Sequence, residues 1–171
     1  MTTQQQNTSF VQSLTPVIKW TERIATAAFI ASLGTVFITK GSAMEFAHYV
    51  FMPVAAILAG VYFLNAYMPV NVQRNENEKF GMKELLLTTI LPKILWISCA
   101  ICMAGFFVLS QNAEHDAHLK LWMIGGLSLL SGLVFLAFGM VTGDKHATVV
   151  APVAFRAVPL VILVIYFYLN S

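Results

Sequence analysis

The stretch LWMIGGLSLLSGLVFLAFGMV, residues 121–141, decides the class of protein to which this chain belongs. It contains no Asp, Glu, Lys, Arg or His. Its length matches the roughly 20 residues that an α-helix needs to cross the about 30 Å hydrocarbon core of a bilayer. The stretch therefore predicts a transmembrane helix.

Similar apolar segments lie on both sides of this stretch, separated by polar intervals such as NVQRNENEK (residues 71–79). Hydrophobic residues make up 58% and charged residues 11% of the chain, whereas soluble domains have roughly 45–50% and about 25%. We therefore predict an all-α integral membrane protein, a compact bundle of about five transmembrane helices. The predicted spans are residues 20–40, 46–68, 92–110, 119–142 and 147–170.

The 171 residues leave room for one membrane bundle and no separate soluble domain. Residues 1–15, rich in Gln, Thr, Asn and Ser, are expected to form a flexible N-terminus, and residues 16–171 a single transmembrane domain. Pro16 is expected to open the first helix. Pro92 is expected to interrupt the third and to leave residues 82–90 as a short interfacial helix. The polar lead favours a retained anchor over a cleaved signal peptide.

The basic residues predict an orientation for five spans. With the N-terminus inside, the cytoplasmic side would hold Lys19, Arg23, Arg74, Lys79, Lys83, Lys93 and Lys145, and the far side only Lys40 and Lys120. We expect a multi-pass protein of a bacterial inner membrane with a cytoplasmic N-terminus. The net charge of +2, without a Lys/Arg run, gives no indication of nucleic-acid binding.

Small residues recur on several predicted spans and favour close helix packing. The packing candidates are Ala55, Ala56, Ala59, Gly60, Gly125, Ser128 and Gly132. The pattern also suggests two repeated hairpins followed by a fifth helix. The first hairpin carries Gly34, Ala47–His48 and Gly60, and the second carries Gly105, Ala117–His118 and Gly132.

Two groups of side chains are candidate ligands for a metal or a haem. Glu114, His115, Asp116 and His118 are metal-ligand types within one short turn, although a solvated turn also explains them. His48 and His118 occupy corresponding positions of the two hairpins, on the same side of the membrane, and could ligate a haem axially. Neither pattern is specific, so no cofactor is predicted, and haem or a divalent metal stays an alternative.

The two cysteines and two basic residues complete the set of candidates. Cys99 and Cys102 have C-x-x-C spacing, but their apolar surroundings favour two buried thiols over a redox pair. Arg156 lies deep within the last span, where a charge normally needs a partner, a cavity or an interface. Arg156 and Lys93 are therefore candidates for lipid or anion binding. No acidic residue is expected as a partner of Arg156, because Glu22, Glu45 and Glu84 lie at predicted helix ends.

These observations favour a non-catalytic membrane module or accessory subunit over an enzyme, because few polar residues converge on any pocket. Its expected partners are membrane lipids and another membrane protein or a second copy of itself. A small transporter or channel with Arg156 near the permeation path is the alternative. A metal- or haem-binding redox protein that uses His48, His115 and His118 ranks third.

Overall fold

The computed structural model describes residues 3–38, 42–68, 81–111, 116–142 and 147–170, and these ranges contain helices and no strand. The predicted all-α bundle is confirmed. We label five helices in chain order: α1 (Thr3–Ile38), α2 (Ser42–Ala66), α3 (the consecutive segments Met82–Leu85, Leu86–Ile90 and Leu91–Ser110), α4 (Ala117–Val141) and α5 (Ala147–Leu169).

Among the residues that the structure describes, four of the five helices contain a segment that is long and apolar enough to cross a membrane. These segments are Tyr49–Ala66, Leu86–Ser110, Ala117–Val141 and Val150–Leu169. They indicate a multi-pass membrane protein. The described part of α1 does not meet the same criterion, because Lys19, Glu22 and Arg23 lie in its middle. A fifth span formed by α1 therefore stays a prediction.

Helix α1 begins at Thr3, so the expected helix start at Pro16 is wrong, and Pro16 lies inside the helix. The expectation fails because a polar segment need not be irregular. Gln, Asn, Thr and Ser are only modestly less favourable in helices than apolar residues. The flexibility expected for residues 1–15 stays a prediction.

The expected break at Pro92 is also wrong, because α3 continues through this residue. Leu86–Ile90 form a π-helical turn, in which the Leu91 N–H donates to the Leu86 carbonyl five residues earlier. Such local widening is one way in which membrane helices accommodate proline, which has no N–H and crowds the preceding turn. Residues 82–90 are thus the first part of a single helix.

Helix α3 occupies the centre of the bundle and packs against α2, α4 and α5, whereas α1 packs mainly against α2. Glycines permit the close approach of α3 and α4. A Cβ at Gly125 would lie 2.7 Å from Cys102 Sγ and 3.1 Å from the Cys102 backbone nitrogen. A Cβ at Gly105 would lie 2.5 Å from Trp122. Small residues therefore set the distance between these helices.

The other packing candidates occupy varied environments. Ala55 is buried, Ala59 is half-buried against the core, and Ser128 is half-buried. Ala56 and Gly60 are exposed on the outer surface of α2. Cβ atoms at Gly34 and Gly60 would meet nothing within 4 Å, whereas Gly132 faces Leu95 at 2.7 Å. The corresponding glycines of the suggested hairpin repeat thus have different packing roles.

An aromatic cluster joins all five helices inside the bundle. Phe106 of α3 lies at its centre and is fully buried. The ring centroids of four other side chains lie 4.9–6.0 Å from the ring centroid of Phe106, within the usual range for aromatic contacts. The members, one from each helix, are Phe29, Phe51, Phe106, Trp122 and Phe167, and we call them the ring cluster.

Candidate functional site

An ion pair connects the first and last helices of the bundle. The Nε–H of Arg156 on α5 donates to Oε1 of Glu22 on α1. Glu22 is buried, with 6% of its surface exposed, whereas 38% of the Arg156 side chain is exposed. A carboxylate so buried requires a charged or hydrogen-bonding partner, and Arg156 provides it.

Two further helices contribute to the surroundings of this pair. The Asn65 side-chain amide of α2 lies 3.5 Å from Glu22 Oε2. The Arg156 guanidinium lies over the Trp96 ring of α3, 5.5 Å from its centroid, a distance typical of a cation–π contact. Arg156 Nη1 also donates to the Pro152 carbonyl on its own helix, at 2.6 Å. We call Glu22, Asn65, Trp96 and Arg156 the charged site.

A cavity of about 150 Å³ adjoins the charged site. Arg156 forms part of its wall together with Thr26 and Tyr62, and the remaining wall is apolar. Ile30 on α1 and Phe155 on α5 border the cavity and are mainly exposed, so it lies close to the outer surface between these two helices. The site therefore combines a partly exposed cation with an apolar recess.

The charged site corrects the expectation that Arg156 has no acidic partner. That expectation was based on a helix start at Pro16, which would place Glu22 near a helix end; in the structure Glu22 is well inside α1. A signal was present in the sequence. Glu22 precedes Ala25 and Phe29, both buried, by three and seven residues, the spacing of one helix face.

Exposed basic residues lie close in sequence to members of the charged site. Lys19 and Arg23 lie within one helical turn of Glu22 and are exposed, and Arg23 stacks over Trp20 at 5.7 Å. Lys93, the second anion-binding candidate, is exposed three residues before Trp96. The lipid- or anion-binding role of Arg156 and Lys93 is not tested by this geometry and stays a prediction.

The candidate metal and haem ligands are only partly described by the structure. Glu114 and His115 lie outside the described residues, as does the side chain of His48. Asp116 is exposed, and His118 packs edge-on against Trp122 with ring centroids 5.3 Å apart. Within the described part of the chain, no three His, Cys, Asp or Glu side chains are grouped closely enough to hold a metal ion.

Cys99 and Cys102 are both buried as free thiols in the core of α3. We expect N-ethylmaleimide to label the folded protein slowly and the protein unfolded in SDS completely, because reaction requires access to the sulfur. Mass spectrometry would measure the labelling. A Gln111→Cys variant, whose thiol would be exposed at the end of α3, is the positive control. Rapid labelling of the native thiols would contradict the observed packing.

The charged site contains groups that can bind an anion. A guanidinium paired with a carboxylate can hold an anion or exchange one anionic partner for another. No protein-family model, no curated protein and no solved structure matches the chain.

Proposed function

We propose that this protein is a non-catalytic module or accessory subunit of a membrane complex, which acts by helix packing and by contacts with a partner protein or with lipid. The observation that supports this role most strongly is the ring cluster. It fills the bundle interior with closely packed aromatic side chains from every helix. A permeation path would instead need polar groups or water along the bundle interior.

The polar residues of the spans also favour a module over a channel. The hydroxyl groups of Thr35 and Ser131 donate to carbonyls of their own helices, those of Ala31 and Ser128. Ser131 is also exposed on the outer surface of α4. Such hydroxyl groups satisfy local backbone acceptors.

Extraction into lipid nanodiscs without detergent, followed by chemical cross-linking and native mass spectrometry, tests the proposed role. We expect a stoichiometric membrane-protein partner or a discrete homo-oligomer. A monomer without a stoichiometric partner, observed at native expression level, would overturn the proposal. Fusion of topology reporters to the N-terminus tests the accompanying proposal that this end is cytoplasmic in a bacterial inner membrane.

A small transporter is the second candidate, favoured by the cavity beside Arg156. It predicts that Arg156→Ala abolishes solute flux in liposomes while the protein still inserts and folds. A metal- or haem-binding role is the third, and its test is the stoichiometric metal content and Soret absorbance of the purified protein. The module proposal expects neither flux nor such absorbance.

A further inference from the structure

We propose that the cavity between α1 and α5 binds an anionic phospholipid, whose phosphate contacts Arg156 and whose acyl chain lies against the apolar wall. This inference rests on the proposed function in one respect only, since the proposed function places the chain in a bilayer. The lipid test can therefore succeed where the partner test fails.

The guanidinium of Arg156 has more N–H groups than it uses in hydrogen bonds to the described residues. It carries five N–H groups in a planar fork. One bonds to Glu22 and one to the Pro152 carbonyl, and among the described residues its Nη2 has no hydrogen-bond acceptor. Because 38% of the side chain is exposed, an acceptor outside the protein can reach it. A phosphate matches this fork, since it can accept two parallel hydrogen bonds.

The wall of the cavity indicates a lipid as the source of that phosphate. Apart from Thr26, Tyr62 and Arg156, the cavity is lined by apolar side chains. Its border residues Ile30 and Phe155 are 63% and 79% exposed, so the cavity lies beside the surface that lipid tails would contact. A free phosphate ion would gain nothing from this apolar wall, whereas an acyl chain would.

Charge complementarity supports an anionic headgroup. Lys19 and Arg23 are exposed on the helix that carries Glu22, and basic residues near a membrane surface attract anionic lipids. Glu22 is the competitor, because its carboxylate occupies the Nε edge of the same guanidinium. The proposal therefore predicts that neutralising Arg156 weakens lipid binding, whereas neutralising Glu22 strengthens it.

The full-length protein is prepared in detergent micelles that contain phosphatidylcholine, and phosphatidylglycerol is then titrated into the sample. Native mass spectrometry measures how much phosphatidylglycerol the protein retains. We expect Arg156→Gln to weaken retention by about tenfold, the loss of one charge-assisted interaction. Glu22→Gln should strengthen retention, since the amide carries no negative charge to compete with phosphate. Lys120→Gln, which removes an exposed charge at the start of α4, is the matched control and should leave retention unchanged.

A structural role for the ion pair predicts a different pattern. If the pair only holds α1 to α5, Glu22→Gln and Arg156→Gln should both reduce lipid retention, and that result would overturn the proposal. Equal losses in Arg156→Gln and Lys120→Gln would also overturn it, because binding would then follow net charge alone. Thermal unfolding of each variant shows whether it is folded under the conditions of the titration.

A cavity-filling variant distinguishes lipid from free phosphate. Ile30→Trp adds a large side chain at the cavity border without changing any charge. We expect it to reduce phosphatidylglycerol retention and to leave any binding of inorganic phosphate unchanged. Displacement of the lipid by equimolar inorganic phosphate would contradict a site built for a phospholipid.

Discussion

Replacement of Gly125 by alanine is expected to destabilise the bundle by about 2 kcal/mol, within the roughly 1–3 kcal/mol typical of overpacked cores. The new Cβ would lie 2.7 Å from Cys102 Sγ, 3.1 Å from the Cys102 backbone nitrogen and 3.2 Å from Ile101 Cγ2. A backbone atom cannot rotate away, so α3 and α4 would have to separate. Reversible unfolding in mixed detergent–SDS micelles would measure the change in free energy.

Gly126→Ala provides the matched control, because it makes the same change one position further along α4. Its Cβ would meet only Val164, at 3.4 Å. We therefore expect its free energy of unfolding to stay within about 0.5 kcal/mol of the wild-type value. The stability loss of Gly132→Ala should lie between those of the other two variants, since the nearest neighbour of its new Cβ is the terminal methyl group of the flexible Leu95 side chain. A Gly125→Ala protein as stable as Gly126→Ala would contradict the tight α3–α4 contact.

Replacement of Glu22 by leucine is expected to cost about 2 kcal/mol, because it leaves the Arg156 guanidinium without its carboxylate partner. Breaking a fully buried pair typically costs about 3–5 kcal/mol, whereas a surface pair contributes about 0.2–1 kcal/mol. The intermediate value follows from the burial of Glu22 and the partial exposure of Arg156. Unfolding in the same micelles would measure it.

The double variant Glu22→Leu with Arg156→Leu tests whether the two side chains act together. Each single variant leaves one charge unpaired, but the double variant leaves none, and replacing an ion pair by apolar residues is often neutral or stabilising. We expect the double variant to be more stable than either single variant. Losses that simply add would show that the two residues are energetically independent.

The membrane class and most helix positions could be predicted from sequence, because hydrophobic length is a local property. The stretch 121–141 lies within α4, whose bounds are Ala117–Val141, and no distant contact was needed to recognise it. Prolines were harder to interpret. Pro92 and Pro16 both suggest helix boundaries in the sequence, yet a π-helical turn accommodates the first and a polar helical extension precedes the second.

The charged site could not be predicted as a unit, because it depends on which helices meet. Arg156 stands out in the sequence because a charge inside a membrane span is costly, and this argument needs no knowledge of distant contacts. A first helix that begins at Pro16 would place Glu22 near a helix end, so the sequence does not indicate it as the partner of Arg156. Asn65 and Trp96 carry no sequence pattern that points to them, since their contacts with Glu22 and Arg156 depend on the packing of α2 and α3 into the bundle.

The separation of the two charged partners along the chain has a consequence for biosynthesis. Glu22 and Arg156 are 134 residues apart. At translation rates of about 5–20 residues per second, Glu22 would wait roughly 7–27 s before its cation is made. During that interval the carboxylate is stabilised by water or headgroups and not by the bundle. Final seating of the first helix would then be a late event, completed only when the last helix leaves the ribosome.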